Sequence, residues 1–213
     1  MDSESGRSAR ERRVETVAAI LLSIATVVTA WSAYQATRWS GVQAGAYTTA
    51  SARRTESVRA STLANRQILI DVTVYLDWLD AARLGEDELA RDLEVRMRDE
   101  FKPAFAAWLG SVPAGTLPDG TPFTRPEYRL AAEEEAAQLE DEAAAEFTEG
   151  QEANQTADDF VLAAVLFASV LFFSGLGGTF DSYRVQVFLL SMAGVMLVLG
   201  AVIVLTLPQN VGF

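Results

Sequence analysis

Residues 160–207 read FVLAAVLFASVLFFSGLGGTFDSYRVQVFLLSMAGVMLVLGAVIVLTL. Two apolar runs, 160–176 and 185–207, flank the short polar sequence GGTFDSYR at 177–184. A hydrocarbon core about 30 Å thick needs roughly 17–25 helical residues to cross it, so each run suits a membrane span and the polar sequence suits a tight turn. A third run, VETVAAILLSIATVVTAWSAYQA at 14–36, lies near the other end of the chain. These three blocks predict an all-α integral membrane protein: a tail at 1–13, spans at 14–36, 160–176 and 185–207, a turn at 177–184 and a tail at 208–213. Between the first two spans, 37–159 is expected to form a helical extramembrane domain. A secretory signal peptide is the rival reading of 14–36, but its apolar stretch exceeds an h-region of about 7–15 residues, which favours an uncleaved anchor.

The 213 residues include 17 basic and 29 acidic side chains, giving a formal charge of −12, with neither Cys nor His. Without cysteine there is no disulfide, thiolate or zinc-finger chemistry. Without histidine the commonest general base and transition-metal ligand is missing. Neither a catalytic centre nor a cofactor or metal site is therefore expected, and the acidity disfavours nucleic acid as a partner. No ionisable residue lies within the second or third run, and the first holds only Glu15 at its edge. That argues against pumps and voltage sensors, which place charges at membrane depth. The runs instead carry small residues, Ala19, Ser23, Thr26 and Ala30 in the first and Ser191 and Gly194 in the third. Such positions serve either packing among the three spans or an oligomer interface.

Orientation follows the arginines. Arg7, Arg10, Arg12 and Arg13 precede the first run and Arg184 lies in the turn, which puts the N-terminus and turn in the cytoplasm of a multi-pass cell-membrane protein and residues 37–159 outside. Arg38, Arg53 and Arg54 on the other side moderate the bias. Trp31, Tyr34, Arg38 and Trp39 join amphipathic rings to a snorkelling cation, the composition of a membrane-interface anchor. A quaternary-amine cage would need further facing rings, which the sequence does not supply.

The segment TAWSAYQATRWSGVQAGAY at 29–47, with SARRTESVRAST at 51–62 and PEYRLAAEEEAAQLEDEA at 126–143, resembles a family of uncharacterised prokaryotic three-span membrane proteins carrying a TAWSxYQAxRWSGxQA-type motif. The resemblance implies this layout and carries across neither an activity nor a site residue.

Within 37–159 the periodicity is helical. After a weak point at Gly41 and Gly45, Val58, Thr62, Asn65, Leu69, Val72, Leu76 and Leu79 recur at steps of four and three and define one expected inner face. The helix should stop near Leu84, with Gly85 in the left-handed conformation and Asp87 opening a second helix that presents Leu89, Leu93, Met97 and Phe101. Pro103 then kinks or separates 104–109, and 110–126 forms a Pro- and Gly-rich loop. Thr124 and Glu127 stand at capping-box spacing for the return helix, whose narrow stripe is Tyr128, Ala132, Ala136, Leu139, Ala143 and Phe147. Charge predicts antiparallel pairing of the outgoing and returning helices, with Arg53 level with Glu146, Arg59 with Glu140 and Arg66 with Glu133. The same acids could hold a cation, although a regular helix supplies none of the carbonyls a calcium shell needs. The function expected is a non-enzymatic, membrane-anchored interaction protein, either a self-associating scaffold or an accessory subunit of another membrane protein. The alternatives are a small-ligand sensor and an oligomeric channel.

Overall fold

The computed structural model describes residues 2–113, 115–177, 179–180 and 182–211, with side chains from residue 12 onward. Arg7 and Arg10, part of the orientation argument, have side chains outside the described residues, as have Gly178 and Asp181 of the turn. Among the described residues five helices occur in order: α1 (Asp2–Leu84), α2 (Asp87–Arg96), α3 (Lys102–Leu109), α4 (Ala131–Gly177) and α5 (Tyr183–Thr206), with a 3₁₀ turn at Pro122–Thr124. Among the described residues there is no strand, and α1, α4 and α5 are long and apolar enough to cross a membrane. The chain is all-helical.

Two compact units divide it, one built from Met1–Thr48 with Phe147–Phe213 and the other from Thr49–Glu146. In the first, small residues let α1, α4 and α5 approach closely. Ala25 of α1, Val170 of α4 and Ala193 of α5 form one buried cluster, and Val14, Ala18 and Leu190 another. Gly200 lies so near Phe167 that a Cβ would come within 2.7 Å of Cε1, and a Cβ on Gly150 would overlap the Tyr47 ring. The small residues singled out from sequence are not the ones used here: Ala19, Ser23, Thr26, Ala30 and Ser191 are exposed. Outward-facing apolar residues are numerous, among them Val27, Phe172, Phe188, Val198 and Leu205. Gly41 and Gly45 do not interrupt α1, which continues through both.

The second unit has an aromatic core. Tyr75, Trp78, Phe101, Phe105 and Trp108 are buried together, edge to face for Trp78–Phe105 (4.7 Å) and Tyr75–Trp108 (5.5 Å), with Phe123 and Tyr128 packed alongside. The turns follow the chemistry of the chain. Leu84 ends α1, Gly85 takes φ +73° and Asp87 begins α2, while Pro103 lies in the first turn of α3. Two expectations need correction. The return helix starts at Ala131 and not at a Thr124–Glu127 capping box, because Tyr128 and Leu130 are drawn inward: the Tyr128 hydroxyl reaches Asp71 and Leu130 packs on Ala64. The Thr124 hydroxyl instead donates to the Thr121 carbonyl.

The inner face of α1 is also displaced by about one residue. Ser57, Ala60, Ala64, Asp71, Tyr75, Trp78 and Ala81 are buried, while Val58, Leu69 and Leu76 are 64%, 66% and 52% exposed. Close approach to α4 selects small residues over the larger aliphatic ones: Ala64 clusters with Leu130 and Ala132, and Ser57 bonds the Ala136 carbonyl. On α4 the expected stripe does face inward at Ala132, Ala136 and Ala143.

Candidate functional site

Trp31, Gln35, Arg38 and Trp39 stand at steps of four, three and one on α1, so their side chains share one side of the helix. Beyond the end of α5, Pro208 cannot continue the helix and the chain becomes extended. That segment is gripped from the side. The Trp31 indole donates to Gln209 Oε1 at 3.0 Å, the Trp39 indole to the Pro208 carbonyl at 3.1 Å, and Arg38 Nη2 to Asn210 Oδ1 at 3.4 Å. Gln35 makes a two-way bond, donating to the Asn210 carbonyl at 3.4 Å and accepting from the Asn210 N–H at 2.9 Å. Gln209 turns back to donate to the Val204 and Leu207 carbonyls, which satisfies groups that α5 leaves open at its end.

Three of the four anchor residues thus have a partner that the sequence did not reveal. Tyr34 makes none of these bonds; its ring lies 5.7 Å from that of Trp31, and both rings are partly exposed. Gln35 was missed although it lies inside the motif and is fully buried, because a glutamine in a helix ordinarily faces solvent. Chemically the arrangement holds a backbone in place. It contains no nucleophile or general base.

The helix-pairing charges are brought together one turn from the expected register. Arg53 meets Glu142 at 3.3 Å instead of Glu146, and Arg54 meets Glu140 at 3.8 Å, the acid assigned to Arg59. Among the described residues, Arg59, Arg66, Glu133 and Glu146 make no ion pair. Shape sets the register here. The Ser57 hydroxyl donates to the Ala136 carbonyl at 2.8 Å and Ala64 packs against Ala132, leaving exposed arginines to take whichever carboxylates fall in reach.

No protein-family model, curated protein or solved structure matches this chain. Geometry alone carries the functional reading.

One polar centre escaped the sequence reading. Asp71, 1% exposed, accepts from Arg98 Nε at 3.0 Å and Nη2 at 3.2 Å and from the Tyr128 hydroxyl at 3.0 Å. Arg98 also reaches Glu100 at 2.8 Å. Burial works against the Arg98 charge, but the hydrogen bond and charge of Asp71, reinforced by Glu100, hold its pKa above the usual value. Burial and then the Asp71 charge and hydrogen bond push the Tyr128 phenol well above its ordinary range. A signal existed in the sequence: Asp71 is the lone acid in the run ILIDVTVYL, where a charge among apolar residues needs a buried partner. Nearby, Trp78, Asp87, Arg91, Glu94 and Leu117 line a cleft of about 490 Å³, with the Trp78 indole donating to Glu94 at 2.9 Å. Among the described residues, no group of three or more carboxylates is placed to hold a metal ion.

Proposed function

We propose that this chain is a non-enzymatic, self-associating membrane scaffold, anchored by α1, α4 and α5, whose Thr49–Glu146 unit presents a docking surface outside the cytoplasm. The observation that carries the reading is the outward stripe Ala19, Ser23, Thr26 and Ala30 on α1. Interior packing of the helices uses Ala18, Ala25, Ala193 and Gly200 instead, while Ala19, Ser23, Thr26 and Ala30 stay exposed, the Ser23 and Thr26 hydroxyls bonded back to the Ala19 and Leu22 carbonyls of their own helix. Small residues on a lipid-facing helix surface let another helix approach closely. The apolar side chains facing outward around these helices support insertion, since lipid and not water is their compatible solvent.

Native mass measurement after mild extraction, repeated in lipid nanodiscs, tests this reading. A defined homo-oligomer, alone or with a second membrane protein, is the expected result. A strictly monomeric species with nothing bound would overturn it. The cleft beside Trp78 supports one second reading, a small-ligand sensor, because its volume and mixed lining suit an organic ligand. A small molecule retained by a monomer would favour that reading over the scaffold.

A further inference from the structure

The surface of the Thr49–Glu146 unit is divided by charge. On α1, Arg59 and Arg66 are exposed and make no ion pair among the described residues, and they border an exposed apolar row. That row is Val58, Leu69 and Leu76, with exposed Thr62 and Asn65 and half-buried Val72 between them, at the steps of four and three of a helix seam that packs against another helix. Its outward position is costly for residues such as Leu69, 66% exposed, in a unit that buries its aromatic rings. On α4 the situation is reversed: Glu133 and Glu134 are exposed and make no ion pair among the described residues, and exposed Ala137, four and three residues on, leaves room for close approach on the same face.

Height is the second consideration. The Ser57–Ala136 hydrogen bond and the Ala64–Ala132 cluster put Arg59 about level with Glu134, and Arg66 about one turn short of Glu133, within the reach of an arginine side chain. Two copies of this unit set side by side and parallel present these faces at matching positions along their helices. The α1 face of one copy therefore meets the α4 face of the next with opposite charges aligned and the apolar row between them.

We infer that a second copy of this chain docks on the Val58–Leu69–Leu76 face of α1, with Arg59 and Arg66 paired to Glu133 and Glu134 on the second copy's α4. The inference rests on the self-associating reading above and names its surface. Because the two faces differ, the contact is heterologous, and it closes into a ring where the rotation between neighbours divides a full turn.

The test uses the full chain in nanodiscs and compares four forms by native mass and by dilution. Arg59→Glu with Arg66→Glu should weaken association at least tenfold, and Glu133→Arg with Glu134→Arg should do the same. The chain carrying all four changes should recover it, because the charges are exchanged. Copies carrying Val58→Cys and differently tagged copies carrying Ala137→Cys should crosslink to one another when mixed, while neither crosslinks alone. Fluorescence of the buried Trp78 and Trp108 checks that every form is folded.

An oligomer that ignores the charge changes and gives no crosslink overturns this surface and leaves self-association standing. A monomeric wild type overturns both. Association lost equally in the four-residue exchange refutes charge pairing. A single copy that holds a different protein through Arg59 and Arg66 refutes the second copy as occupant.

Discussion

Replacing Asp71 by alanine removes the acceptor of three hydrogen bonds at 3.0, 3.2 and 3.0 Å and leaves the Arg98 charge and the Tyr128 hydroxyl without it. Breaking a buried ion pair by deleting one partner costs about 3–5 kcal/mol. The lower end applies, since the Arg98 side chain is 21% exposed and keeps Glu100 at 2.8 Å. A loss of about 3 kcal/mol corresponds to a fall of roughly 12 °C or more in the melting of a unit of this size. Intrinsic fluorescence is the suitable assay because Trp78 and Trp108 lie in the same core. Asp71→Asn keeps the shape and one acceptor and should lose about half as much. A double-mutant cycle of Asp71→Asn with Tyr128→Phe should show coupling of about 1–2 kcal/mol. A melting curve for Asp71→Ala within about 1 kcal/mol of the wild type would refute this reasoning and show that the pair only breaks even against its own desolvation.

Three further outcomes follow from the same geometry. The raised Tyr128 pKa means that the native state holds a proton which the unfolded chain releases above its ordinary phenol value of 10.0. The associated stability is complete below that pH and declines above it, so Tyr128→Phe should flatten the alkaline limb of a melting-temperature profile; an unchanged limb would contradict the assignment. Gln35→Ala should free the Asn210 N–H and lower its hydrogen-exchange protection about tenfold, the equivalent of one hydrogen bond of about 1.4 kcal/mol, whereas unaltered protection would show that the indoles hold the segment unaided. The chain has no native cysteine, so Thr116→Cys in the exposed loop gives a single thiol. An impermeant reagent should label it in intact cells, and labelling only after lysis would reverse the proposed orientation.

Helix periods and stop signals were the legible part of this fold. Gly85 and Pro103 act locally through backbone freedom and a missing N–H, so their effects depend little on the rest of the chain. The apolar runs were legible for the same reason, since length and composition suffice to identify a helix able to cross a membrane. The inner face of α1 was not. Val58, Leu69 and Leu76 form the better apolar row by composition, yet the structure buries Ala60, Ala64 and Asp71. That choice depends on partners far along the chain, namely Ala132 and Ala136 on α4, Arg98 after α2, and Tyr128 before α4. Likewise the motif at 31–39 advertised its rings but gave no hint of Pro208, Gln209 and Asn210 as their targets.

The one-turn error in charge register has a physical origin that bears on the rest. Exposed ion pairs contribute about 0.2–1 kcal/mol each, and arginine side chains are long enough to accept acids a turn apart. They cannot fix a register against the packing of a whole helix face, of which the Ala64, Leu130 and Ala132 cluster and the buried Ser57–Ala136 bond are part. Once shape has set the register, the charges divide into those that find a partner within the chain and those that do not. Arg53 and Arg54 belong to the first group, Arg59 and Arg66 to the second. The unpaired arginines border the apolar row that the same packing choice turned outward. Helix packing that favours alanine over leucine in the interior therefore also leaves exposed, away from the α4 contact, a surface of α1 that carries both apolar area and charge.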